Sequence, residues 1–502
     1  MSDSLFDLIR ERFPRDPEAS FIETPGGRVM TYGEVEEATG RLARLLAEAG
    51  VAKGDRVAAI VEKSPEAILL YLAVLRAGGV YLPLNTAYRA QEIAYFLGDA
   101  EPRAVVWRPE AEAEIAALAG TAKVFTLGQA GDGSLMDASA DLDPDFQSVP
   151  SAADDLAALL YTSGTTGRSK GAMLSHWNLA SNALALHSIW GFRPGDVLLH
   201  ALPIFHTHGL FVATNCVLLN GSSMLFLNRF EPDLVCRLLP RATVMMGVPT
   251  FYTRLLEHPG FDQALCGNMR LFISGSAPLL EETHRAFEAK TGMAILERYG
   301  MTETGMNSSN PLEGARVPGT VGYALPEVEL RVADEDGRVL AAGETGVLEV
   351  RGPNVFSGYW RQPEKTAAEF RADGFFITGD VACMAPDGRV SIVGRAKDLI
   401  ISGGFNVYPK EVELVIDEQA GVRESAVIGL PHPDFGEAVT AIVVPEDDAC
   451  PPEAASLIAA AKEALANYKV PKQVFVMDAL PRNAMGKVQK NALRERYKDS
   501  FS

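Results

Sequence analysis

Residues 161 to 171 read YTSGTTGRSKG, where an apolar run from Leu156 to Tyr161 gives way to Thr162, Ser163, Gly164, Thr165, Thr166 and Gly167, then Arg168, Lys170 and Gly171. Glycines let backbone N–H groups turn toward an anion, hydroxyls add donors, and Lys170 adds a charge, so the composition suits a phosphate cradle. The spacing is not that of the NTPase P-loop, which needs Gly-Lys-Ser/Thr after its second glycine. The same residues also fit a Ser/Thr/Gly turn between two strands. Composition alone leaves both readings open.

Other residues carry similar pairs of readings. Lys487 lies in a basic tail with Arg482, Lys490, Arg494, Arg496 and Lys498, which fits a solvated face; Gly486, after Pro481 and Met485, fits a tight loop tip instead. Glu303, after Gly300, is either a helix-start acid or a ligand. Asp380 and Arg395 fit a surface acid and an ion-pair partner. His206 and His208 sit two apart in apolar surroundings, as a strand would place them on one face; they are core residues or ligands. Arg254, beside Phe251 and Leu255, is a snorkelling arginine or a holder of a carboxylate. Arg285, in THRAFE, has the same two readings.

The order of the segments decides between them. YTSGTTGRSKG is followed by RYGMTE (298 to 303), TGD (378 to 380), GRAKD (394 to 398), GGFNVYP (403 to 409) and PRNAMGKVQK (481 to 490). Together these resemble, in sequence order, the adenylate-forming superfamily of acyl-CoA synthetases, luciferases and peptide-synthetase adenylation domains. The resemblance implies ATP, Mg²⁺ and coenzyme A. It gives Lys487 the place of the lysine between carboxylate and α-phosphate, and Glu303 with Thr162 the Mg²⁺. Thr302 would reach the phosphate. Tyr299, with Glu297, Arg298, Gly300 and Met301, forms one wall of the nucleotide site, and Gly275, Ser276 and Ala277 form the other. Asp380 and Arg395 match ribose-binding residues, Lys397 the hinge, and Gly403, Gly404 and Phe405 the pantetheine path.

Within the superfamily, HTHGL, GVPTFYTRLL, SGSAPL and LERYGMTETGMNSSNP resemble the malonate-activating branch. There Arg254 would hold the distal carboxylate, with His206, His208 and Ser276 nearby. A dicarboxylate needs a buried cation at the far end of its pocket, whereas a fatty chain needs apolar walls. The acid is thus expected to be malonate, or methylmalonate, since one methyl changes pocket energetics by only about 1–3 kcal/mol. A ligase for short monocarboxylates, an enzyme loading a carrier protein, and a nucleotide-binding protein without catalysis are the rivals.

The elements that must position these residues read as α/β. Helical spacing from Tyr32 to Leu46 ends at Gly50, and short apolar strands alternate with helices as far as Met269 to Ile273, which indicates parallel βαβ layers. Residues 128 to 153 read as a surface excursion. From about Pro326 the period becomes two, in VELRV, GVLEVRG and RVSIVG, as in a small antiparallel sheet or barrel. After Lys397 a compact α+β unit follows, so two domains are expected, 1–396 and a mobile 397–502.

A chain of 502 residues exceeds what one core usually organises. The net charge of −19 argues against nonspecific binding of nucleic acid or anionic membrane. Five scattered cysteines suggest neither a disulfide framework nor a zinc site, which fits the cytoplasm. The N-terminus reads as a short amphipathic helix, not a signal peptide. The apolar window Leu198 to Leu219 contains His200, His206, His208 and Asn215, and so reads as buried strand and helix, not a membrane span.

Overall fold

The computed structural model describes residues 4–111, 117–162, 169–395, 398–402, 405–432, 435–465, 467–483 and 486–501. The expected α/β architecture is present. The chain divides into two compact units: the first comprises residues 1–318, 322–329 and 351–376, and the second residues 319–321, 330–350 and 377–502.

The first unit is built on two sheets. A six-stranded sheet pairs Arg56–Ile60, Val80–Pro83, Ala104–Trp107, Lys123–Thr126 and Leu156–Thr162 in parallel, with Lys170–Ser175 antiparallel at its edge. In a nine-stranded sheet the central neighbours Val197–His200, Val244–Gly247, Leu271–Ser274 and Leu296–Met301 run parallel. Parallel strands need crossovers, and these are supplied by helices whose starts are written locally. Tyr32–Glu48 opens with a capping box between Thr31 and Glu34, and Pro65–Arg76 with Ser64 as N-cap and Pro65 in its first turn. Leu199, Met245, Tyr252, Phe272 and Phe287 sit in one cluster against the nine-stranded sheet, all fully buried.

The window Leu198 to Leu219 departs from expectation in one respect. His206 and His208 are not on a strand. His208–Thr214 forms a π-helix that runs into the α-helix Asn215–Asn220. His206 lies in the preceding bend and is only partly buried, whereas His208 is buried. Two-residue spacing here marks a turn entering a helix, so the two rings do not share a face. Among the described residues no helix is long and apolar enough to cross a membrane.

The period-two segments form a four-stranded sheet in the order Glu329–Ala333, Thr345–Arg351, Phe376–Met384, Val390–Arg395. The second unit also holds a five-stranded sheet centred on Gly436–Pro445, covered by Pro409–Asp417 and Ala454–Ala464. Lys397 lies outside the described residues. So do Ser163, Gly164, Thr165, Thr166, Gly167, Gly403 and Gly404; of Phe405 only the backbone strand Phe405–Val407 is described.

Burial, reinforced by Glu413 and Glu424 against Lys410, raises the Asp417 carboxyl to about pH 7. The folded chain therefore holds this proton more tightly than the unfolded chain. Between the ordinary carboxylate value and about 7, stability contributed by this site falls as pH rises. Asp417→Asn, which cannot ionise, should raise the apparent melting temperature more at about pH 8 than at about pH 5. An equal shift at both values would show that the carboxyl ionises normally.

Candidate active site

The strands on either side of the signature loop pair: Leu156–Thr162 runs antiparallel to Lys170–Ser175, with Thr162 opposite Lys170. Thr162 and Lys170 are thereby fixed at the two ends of the glycine-rich stretch. Glu303 arrives from the other sheet. It occupies the tight turn between Leu296–Met301 and Gly305–Ser309, where Thr304 N donates to Met301 O at 3.2 Å. A glycine is required at 300, because a Cβ there would lie 2.1 Å from Gly305 O. Glu303 thus starts no helix; it is 6% exposed on a hairpin turn.

Its carboxylate meets the loop. Thr162 Oγ1 lies 3.5 Å from Glu303 Oε1, and Tyr359 Oη 3.2 Å from the same oxygen. Tyr359 donates its proton at 2.7 Å to Glu369 Oε2, and Lys170 Nζ donates to Glu369 Oε1 at 3.1 Å while lying 4.1 Å from the Tyr359 ring centre. Burial and then Glu303 push the Tyr359 hydroxyl well above its ordinary value, so it stays a donor. Burial pulls the Glu369 carboxyl upward, but hydrogen bonds from Lys365, Tyr359 and Lys170 outweigh this and hold it ionised. Lys170 is accordingly engaged by a carboxylate. Neither Tyr359 nor Glu369 stood out in the sequence, because both reach the loop only through the fold.

Among the described residues no group of three or more His, Cys, Asp or Glu is arranged around one point. One buried carboxylate beside a threonine hydroxyl is the donor set expected for Mg²⁺ held mainly by phosphates and water.

A second constellation lies along the adjacent strands. Ser274 pairs in register with Glu297, which sets Gly275 beside Arg298. A Cβ at 275 would lie 2.4 Å from Arg298 Cζ, so only glycine lets the guanidinium lie across this backbone. Arg298 is 3% exposed, and its Nε and Nη2 have no hydrogen-bond partner. Burial pushes its pKa down to about 9. Ser276 adopts φ +72°, a strained conformation for serine, and its Oγ lies 3.2 Å from His208 Nδ1. His208 Nε2 and Ser274 Oγ are likewise buried without a partner. Burial, with Arg298 second, holds His208 well below the ordinary histidine value and therefore neutral.

Leaving a charge and several polar atoms unsatisfied in one place is costly, by about 1–3 kcal/mol per group and more for the charge. The arrangement gathers buried polar atoms that have no partner among the described residues. Arg254 is not part of it. That residue lies on the exposed face of Pro249–Glu257, whose buried residues are Tyr252 and Leu255. Arg254 is thus exposed, where a buried cation at the far end of the acid pocket was expected. Arg254→Ala should leave kcat/KM for the acid within about twofold, as exposed substitutions do; a large selective loss on a dicarboxylate would restore Arg254. Arg285 also faces outward, paired with Glu281 at 2.6 Å.

In the second unit Asp380 and Arg395 are cross-strand partners, with Arg395 Nε 2.7 Å from Asp380 Oδ1. Lys487 follows a tight turn, as a loop tip and not a helix face. Asn483 N donates to Lys487 O at 2.9 Å, Lys487 N to Asn483 Oδ1 at 3.0 Å, and Arg482 Nη1 to Gly486 O at 2.5 Å. Arg482 is also paired with Glu424.

The sequence profile described as AMP-binding enzyme matches residues 9–360, and that of the AMP-binding enzyme C-terminal domain matches residues 411–487. The chain belongs to the AMP-binding enzyme family. Its structure is similar to that of ATP-bound MatB from Rhodopseudomonas palustris, with a TM-score of 0.98, 58% identity and all of both chains covered. Feruloyl-CoA synthase of an Amycolatopsis species is 37% identical over 94% of this chain and 95% of that relative. Malonate–CoA ligase of Arabidopsis thaliana is 32% identical over 93% of this chain and 85% of that relative. In this AMP-binding enzyme the loop, the Glu303 turn and Arg298 all lie within the span of the first profile.

Proposed function

We propose that this AMP-binding enzyme is a malonyl-CoA synthetase, with methylmalonate as a second substrate. The chain is an AMP-forming acyl-CoA ligase. Malonate is the proposed acid, and the observation that carries this choice is the buried Arg298, whose Nε and Nη2 lack partners, with neutral His208, Ser274 and Ser276.

The reaction runs in two steps. One carboxylate oxygen of malonate attacks the ATP α-phosphorus, and the bond to pyrophosphate breaks. The CoA thiolate then attacks the acyl carbon of the mixed anhydride, and AMP leaves. Arg298 holds the carboxylate that does not react, at a buried guanidinium whose Nε and Nη2 have no partner among the described residues. His208 and Ser276 donate hydrogen bonds to that group, which fixes the reacting end at the other side of the molecule. Thr162 and the glycine-rich loop cradle the phosphates, while Thr302 sits on the Glu303 turn beside them.

Glu303 and Thr162 would hold Mg²⁺, which offsets phosphate charge when bound. Lys487 supplies the mobile cation for the first step; Asp380 and Arg395 take the ribose hydroxyls. Phe405 with Gly403 and Gly404 would line the thiol path. The division into residues 1–396 and 397–502, hinged at Lys397, belongs to the same proposal.

The test is pyrophosphate release by purified protein with ATP, Mg²⁺ and CoA over mono- and dicarboxylic acids of two to six carbons. Malonate should be the best substrate, followed by methylmalonate, with CoA consumed. Preference for acetate, propionate or an aryl acid would overturn the assignment. Adenylation without consumption of free CoA would indicate transfer to a carrier protein.

A further inference from the structure

Lys63 lies beyond the strand Arg56–Ile60 and is 7% exposed. No carboxylate among the described residues pairs with it, which is unusual for a buried lysine. Its Nζ lies 2.9 Å from His200 Nδ1 and 2.9 Å from His200 O, and 4.3 Å from the Phe226 ring centre. The amine is thus committed to one histidine, on both side chain and backbone, and to an aromatic face.

His200 ends the strand Val197–His200 and passes the contact on. Its Nε2 lies 2.9 Å from Gly209 O. A carbonyl only accepts, so Nε2 carries the proton and Nδ1 accepts from Lys63. Thr214 Oγ1 donates to the same Gly209 carbonyl at 2.9 Å. That carbonyl belongs to the first turn of the π-helix His208–Thr214, directly after His208. π-turns break the regular i to i+4 ladder, and here Thr214 holds the Gly209 carbonyl from within the helix and His200 from outside it.

We propose that Lys63 is a positioning residue for acid recognition: through His200 and the Gly209 carbonyl it fixes the turn that presents His208 to the acid pocket. This rests on the reading of His208 and Arg298 as the pocket for the distal carboxylate. Burial, and the Lys63 charge after it, hold His200 well below the ordinary histidine value. A neutral His200, with one donor and one acceptor, is what a relay between an amine and a carbonyl requires.

Lys63→Met keeps the side-chain stem and removes the donors. It should raise KM for malonate about tenfold or more, by misplacing His208, while KM for ATP stays within about twofold. Lys63→Gln, which keeps one amide donor, should fall between Met and wild type. Unchanged malonate KM in Lys63→Met would overturn the proposal. So would a parallel rise in the KM of malonate and ATP, because a merely structural role predicts no selectivity. Should Lys63→Met fail to fold, His200→Gln read in the same assay decides: a selective malonate defect supports the relay, and wild-type KM overturns it. Arg298→Met run alongside separates the two levels. If Arg298→Met keeps normal malonate use, the pocket assignment has failed; if it loses malonate and Lys63→Met does not, only the relay has failed.

Discussion

Replacing Arg298 with methionine should lower kcat/KM for malonate on the order of 10³-fold, equivalent to about 4 kcal/mol, while propionate activation changes by less than about threefold. The large figure follows from burial. Arg298 has no partner for Nε or Nη2, lies flat across Gly275, and has its charge disfavoured by its surroundings. An acid that brings a carboxylate there gains a partner for a charge that water cannot reach. Without the guanidinium, that carboxylate would be buried against neutral His208 and two hydroxyls, which cannot offset a full charge. Propionate has no second carboxylate, so it loses nothing when Arg298 is removed. Steady-state kinetics on the two acids check this directly; equal losses on both would place Arg298 in general folding and not in recognition.

Lys487→Ala should reduce malonate-dependent ATP–pyrophosphate exchange about 10²- to 10³-fold, the usual result of removing one electrostatic stabiliser of a transition state. Transfer of malonyl from preformed malonyl-adenylate to CoA should remain within about threefold. The split is expected because the turn at Lys487 is held by other groups. Asn483 pairs with the Lys487 backbone on both sides, and Arg482 ties Gly486 O to Glu424. Removing the Lys487 side chain therefore leaves the backbone in place. Equal loss of both half-reactions would assign Lys487 to structure, and persistent exchange would remove it from the chemistry.

Much of this was legible in the sequence because local signals and chemistry coincide. The helical spacing from Tyr32 to Leu46, stopped at Gly50, is the helix Tyr32–Glu48. The apolar run Leu156 to Tyr161 reads as a strand, and it lies in the strand Leu156–Thr162. Three features were out of reach for physical reasons. His206 and His208 have strand-like spacing, but the chain enters a π-turn, which has no sequence signature of its own. Arg254 sits between Thr253 and Leu255 and Arg298 between Glu297 and Tyr299, yet one lies on the open face of a helix and the other on a strand inside a layered sheet. Local pattern does not say which elements cover which face. Lys63 and Tyr359 find His200 and Glu303 across 137 and 56 residues, contacts that exist only once the sheets have assembled.

The most direct measurement compares malonate with monomethyl malonate, which keeps the reacting carboxylate and masks the other as a neutral ester, by ATP- and CoA-dependent pyrophosphate release. If Arg298 reads a distal carboxylate, malonate should be preferred on the order of 10³-fold in kcat/KM. Equal use of the two acids would mean that this AMP-binding enzyme does not select its substrate by a second negative charge.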